Sequence, residues 1–163
     1  MLRFNSDHKF KIMQIADTQE IPAVSPDTLS LINNALDREK PDLVIFTGDQ
    51  IKGYSKKFKK DPAIIESTID ILVEPIAKRN IPFMVTYGNH DAQCGVDNRG
   101  QYKFYAKYDN FISGDLRNAD DVGTADIQIY SSTEDKPVFE LYIIDSHGKA
   151  KTAQDTRPST KSK

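Results

Sequence analysis

The sequence predicts an α/β fold that opens β-α-β-α-β and adds a later β-hairpin. Three observations carry that prediction. Short apolar runs at 10–16, 42–46 and 81–86 have the length of strands and end in polar turns. Two stretches between them place apolar residues at helical spacing, each behind a capping residue and a proline. Strands that alternate with helices in this way imply right-handed crossovers and a parallel sheet.

Residues Phe10 to Ala16 form the first strand, a mostly apolar run rich in Ile and Met. Ser25-Pro26-Asp27 then opens a helix: Ser as N-cap, Pro at the first helical position, an acid in the first turn. Thr28, Leu31, Ile32, Ala35 and Leu36 fall on one face of it. Lys40 precedes Pro41, which disfavours helix at that point. The run DLVIF, 42–46, is continuously apolar, as in a parallel strand covered on both faces. Asp61-Pro62 repeats the helix-start chemistry, and Ile65, Ile69, Leu72, Val73 and Ile76 make the apolar stripe, with Pro75 expected to kink the helix late. The third strand is IPFMVT, 81–86. A short helix is expected over 101–111, and a hairpin joins 126–132 to 137–145 across TEDK. After Ser146 no Ile, Leu, Val or aromatic residue remains, so 147–163 is expected as a disordered tail. Residues 1–9 read as an N-terminal extension and 10–146 as one domain.

At 163 residues the chain suits one domain with a real core. Hydrophobic residues at 38% and charged residues at 28% are ordinary for a folded chain and argue against disorder. A net charge of −2 gives no nucleic-acid footprint. No apolar run is long enough to span a bilayer, and the N-terminus lacks a secretory h-region, so the cytoplasm is the expected location. The single Cys94 excludes an internal disulfide framework. Oligomeric state is not legible.

Each of the first three strands ends in polar residues: ADTQ, TGDQ and TYGNHD. In open parallel sheets, ligands bind outside the carboxyl ends of the strands. Those ends collect Asp17, Asp49, Asn89, His90 and Asp91 in one region, with Gly48 and Gly88 allowing close backbone approach. Taken alone, Asp17 fits a metal ligand, a nucleophile or a turn residue. Carboxylates gathered in one place repel unless protonated or bridged by a cation. The amide of Asn89 is a neutral hard ligand, which favours a metal in a mixed oxygen and nitrogen site.

The motifs TGDQ and GNHD at 47–50 and 88–91, with IADTQ before them, resemble the calcineurin-like metallophosphoesterases, the group that includes the purple acid phosphatases. The resemblance covers residues 10 to about 145 and is closest to a bacterial branch whose first motif reads D-T-Q. It implies the first half of a calcineurin-like αββα sandwich and hydrolysis of phosphate esters by a hydroxide that two metal ions activate. Carried over residue by residue, Asp17 would bind the first metal, Asp49 would bridge both, and Asn89 would bind the second. His90 would act on the substrate phosphate as general acid or charge stabiliser, oriented by Asp91. Two cations would supply hydroxide at neutral pH and neutralise the phosphoryl oxygens.

The chain departs from the pattern in two places. Gln19 stands where most members carry the His of D-x-H. Its carbonyl oxygen is a poorer partner for zinc than imidazole, so the site tilts from Zn toward Mn, Fe or Mg. Gln19 has two readings, ligand or hydrogen-bonding neighbour. The later G-H-x-H motif is absent, and His147 in DSHG does not match the family segment. These gaps predict a C-terminally truncated domain with weak metal binding, poor catalysis and an uncovered apolar edge. The alternative is a non-catalytic remnant or interaction module that keeps the half-fold. An aspartyl-nucleophile phosphatase would need D-x-D, which Gln19 denies.

Other polar residues read more simply. The loop YSKKFKKD, 54–61, is a solvated basic turn. Tyr102, Phe104, Tyr105 and Tyr108 pack one side of the short helix. Cys94 is incidental, and His8 is solvated.

Overall fold

The computed structural model describes residues 1–113 and 122–147. In chain order the elements are β1 (Leu2–Arg3), β2 (Ile12–Ile15), α1 (Pro26–Glu39), β3 (Leu43–Thr47), α2 (Pro62–Lys78), β4 (Phe83–Thr86), α3 (Asn98–Ala106), β5 (Ala125–Tyr130) and β6 (Pro137–Ile143). Single 3-10 turns lie at Lys56–Phe58 and Asp91–Cys94. The predicted β-α-β-α-β run is β2 to β4. The expected tail, apart from His147, lies outside the described residues.

Strands β2, β3 and β4 form a parallel sheet in that order, with Ile15 opposite Phe46 and Thr47 opposite Thr86. Pleating divides its side chains. Val44, Phe46, Phe83 and Val85 meet the helices, while Leu43, Ile45 and Met84 face the second sheet. All seven are buried, as a strand covered on both faces requires. The helices start where the caps predict: Ser25 accepts the N–H of Asp27, and Asp61 that of Ala63. In α2 the predicted stripe of Ile65, Ile69, Leu72, Val73 and Ile76 is buried throughout. Burying one such side chain stabilises by about 1.5–3 kcal/mol. Pro75 lies inside α2, and the helix runs on to Lys78.

The second sheet has the order β1-β5-β6, with β5 and β6 as the predicted antiparallel hairpin. Ala125, Ile127, Ile129 and Ile143 pack against Leu43, Ile45 and Met84. The described layers are therefore helices, parallel sheet and second sheet, a partial form of the expected sandwich. The outer side of β5 carries Asp126, Gln128 and Tyr130, which suits contact with water. Among the described strands β6 pairs only with β5, and Val138, Phe139 and Tyr142 are half-exposed on it.

Three expectations need correction. Residues 1–9 are not merely an extension: Leu2 and Arg3 pair with Ile129 and Tyr130, and Leu2 is buried in the second core. A strand this short has no periodicity to read. Leu31 is 70% exposed although its helix face was expected inside. Among the described strands β2 pairs only with β3, an edge position, and of that helix face only Ile32 and Leu36 are buried. The helix expected over 101–111 begins earlier, at Asn98, because Asp97 caps it by accepting the N–H of Gly100, and it ends at Ala106.

Candidate metal centre

Three loops leave the carboxyl ends of β2, β3 and β4 and lie against one another. The N–H of Asp17 donates to the carbonyl of Gly48 at 3.1 Å, and that of Gln19 donates to the carbonyl of Asp49 at 3.0 Å. Gly48 has a φ of +97°, and a Cβ there would fall 2.3 Å from the backbone nitrogen of Gly88. Only glycine lets the second and third loops approach so closely. Asp17, Gln19 and Asp49 take φ of 53°, 49° and 53°. Left-handed backbone at non-glycine residues costs about 1–3 kcal/mol each and clusters at functional sites.

Asp49 stands at the centre and is 8% exposed. Its Oδ1 accepts the N–H of His90 at 2.8 Å, and its Oδ2 lies 3.3 Å from Nε2 of Gln19. Asp17 is exposed at the rim, tied in by its backbone. Asn89 is half-buried, and its side-chain amide takes part in no hydrogen bond among the described residues. The sequence-predicted residues therefore share one locus, with Asp49, Gln19 and His90 in direct contact.

Asp91 does something other than orient the His90 ring. Its carboxylate is 2% exposed and accepts three backbone N–H groups: Asp49 at 2.8 Å, Gln50 at 3.1 Å and Gly88 at 2.8 Å. It ties the β3 loop to the β4 loop. Burial pushes its pKa up, the N–H groups of Gly88 and Asp49 pull it down, and the Asp49 carboxylate adds to the rise. The ring is held by Gln93 instead, whose Oε1 accepts from Nδ1 of His90 at 3.2 Å. Gln93 in turn donates to the carbonyl of Asn89 at 3.0 Å. That arrangement leaves Nε2 of His90 for a ligand.

Several contributors escaped the sequence reading. Gln93 lies three residues past His90 on the 3-10 turn, a spacing that signals contact. Tyr54, read as part of a solvated loop, sits with its ring centroid 4.8 Å from that of His90, edge to face. Gln101, 1% exposed, donates to the carbonyl of Asp91 at 2.8 Å and anchors the turn from α3. Cys94 is buried beneath the turn rather than set in an open loop, and burial pushes its thiol pKa up.

The donors Asp17, Asp49, Asn89 and the Gln19 carbonyl are all oxygen. Oxygen donors of this kind are the type that hard cations take, and imidazole or thiolate, the softer donors, are not among them. Among the described residues no group of three His, Cys, Asp or Glu side chains converges on one point. A second ion would need donors from outside them.

Compared with known families, residues 10–161 match the calcineurin-like phosphoesterases, a match that extends into the segment expected as a tail. Phosphatase DCR2 of Saccharomyces cerevisiae is 34% identical over 170 residues, covering 90% of this chain and 28% of that protein. Probable inactive purple acid phosphatase 14 of Arabidopsis thaliana is 27% identical over 170 residues, covering 88% of this chain and 41% of its own. An uncharacterized metallophosphoesterase of Aquifex aeolicus is 28% identical over 91 residues, covering 55% and 31%. The chain spans less than half the length of each of these relatives. With a match across most of its length, and with the strand-end loops that the match implies in place, the chain belongs to the calcineurin-like phosphoesterase family.

Proposed function

We propose that this chain hydrolyses phosphate esters with a hard metal ion, manganese or iron, held by Asp17, Asp49 and Asn89. The observation that carries the reading is the contact of Asp49 with Gln19 and His90 at three adjoining strand ends, on backbone held left-handed at Asp17, Gln19 and Asp49. A bound metal would supply Lewis-acid stabilisation of the phosphoryl oxygens and activate the attacking water. The chain's own residues supply the rest. The Asp91 carboxylate and the two close glycines fix the loops, so Asp49 need not reorganise when the metal arrives. His90, with its Nδ1–H donated to Gln93, keeps Nε2 for the substrate, and in its doubly protonated form would give the Nε2 proton to the departing alkoxide and be left as the neutral ring. A second ion, with Asp49 shared between the two, is the fuller form of the same proposal.

The test is release of phenol from a simple aryl phosphate, with manganese or iron(II) added and Asp49→Asn as control. Metal-stimulated hydrolysis that Asp49→Asn abolishes bears the reading out. Folded protein with no metal-stimulated turnover refutes it.

A non-catalytic interaction module is the second reading. It is favoured by a donor set that, among the described residues, holds no imidazole and by the word inactive in the names of three relatives. Manganese binding by calorimetry without hydrolysis would select it.

A further inference from the structure

We infer that Tyr54 is a positioning residue that fixes both the amide of Gln19 and the ring of His90, and so decides what Gln19 offers a metal. The inference rests on the metal-site reading above and goes beyond it.

Tyr54 follows the β3 loop and is 50% exposed, yet it is tightly placed. Its phenol hydroxyl faces Oε1 of Gln19 at 3.4 Å, a long contact that orients the amide. Nε2 of Gln19 then points to Oδ2 of Asp49 at 3.3 Å. The same ring packs edge to face on His90 at 4.8 Å. Nζ of Lys52 lies 5.2 Å from its centroid.

The backbone leaves the ring little choice. The N–H of Lys52 donates to the carbonyl of Glu20 at 2.8 Å, one residue past Gln19. At Gly53 a Cβ would come 1.9 Å from the carbonyl oxygen of His90. The segment Lys52-Gly53-Tyr54 is thereby pinned between the loop carrying Gln19 and the loop carrying His90. Tyr54 spans the gap between the two side chains.

The consequence concerns Gln19. With Oε1 turned to the phenol, Gln19 presents N–H to Asp49 and acts as a hydrogen-bond donor to a metal-binding carboxylate, not as a ligand. Removing the hydroxyl frees the amide to turn its oxygen toward the metal. Tyr54 thus selects between the two readings that the sequence leaves open.

The experiment is NMR on the full chain without metal, following the Gln19 side-chain amide and the His90 ring protons, alongside manganese titration by calorimetry. Tyr54→Phe removes the hydroxyl and keeps the ring. It should move the Gln19 amide signals, leave the His90 ring signals in place and change manganese affinity by about tenfold. Tyr54→Leu removes both and should move both sets of signals, because His90 loses the ring-current shift. Backbone amides of buried Leu72 and Val85 report that each variant stays folded. Unmoved Gln19 and His90 signals in Tyr54→Leu overturn the inference. So does a Tyr54→Phe variant that shifts His90 but not Gln19. The NMR signals need no turnover, so a failed hydrolysis assay refutes the functional reading without deciding this one.

Discussion

Replacing Asp91 by alanine tests whether one buried carboxylate holds the site's loops together. The carboxylate accepts N–H groups at 2.8, 3.1 and 2.8 Å from two different loops, and it is 2% exposed. Alanine leaves three donors without a partner in a buried place, at about 1–3 kcal/mol each. Part of that loss is offset, since a buried charge is also removed. The expected net loss is about 3 kcal/mol. The assay is urea unfolding followed by far-UV circular dichroism, a suitable probe because the chain has no Trp. The pH dependence follows from the raised pKa. A carboxyl whose folded pKa lies above its ordinary 3.8 binds its proton more tightly when folded. The increment of stability that tighter proton binding adds to the hydrogen bonds is complete below 3.8 and is lost as pH rises through the folded value. The gap between wild type and Asp91→Ala should therefore widen as pH falls toward 3.8. A loss below about 1 kcal/mol at neutral pH, within the range of an ordinary single hydrogen bond, would refute the brace.

Three further outcomes are expected. Phe46→Ala empties a site that is fully buried between the parallel sheet and the helices, and should cost about 3–5 kcal/mol in the same unfolding assay. Asp61→Ala removes the side chain that accepts the Ala63 N–H at 2.9 Å and should cost about 1 kcal/mol without altering metal affinity. Cys94, 2% exposed with its thiol pKa raised above 9.0 by burial, should resist iodoacetamide at pH 8 in native protein and react once the chain is unfolded in urea, as intact mass will show.

The parts of the fold legible in the sequence are those with long or repeated patterns. Helix α2 announces itself through Asp61-Pro62 and a stripe of five apolar residues, and β3 through an unbroken apolar run. Strand β1 leaves no pattern, because its pairing partner lies near the other end of the chain. The site residues were readable because an acid recurs at three strand ends, behind a glycine at two of them. Their roles were not. Whether Asp91 serves the ring or the backbone depends on where three N–H groups point, and no spacing encodes that. Tyr54 was hidden for a related reason: its loop is rich in lysine and looks solvated, while the contact that places it is Gly53 against the carbonyl of His90.

The pairing of β1 with β5 has a kinetic consequence. Arg3 donates through Nη1 to the carbonyl of Ser131, 128 positions along the chain. During synthesis the parallel sheet and its helices are complete in sequence long before that partner emerges. Closing so large a loop is slow, so the second sheet should form last in refolding as well. The helical half would then exist for a time with Leu43, Ile45 and Met84 open to water. An affinity tag placed directly before Met1 would sit on the strand that closes last.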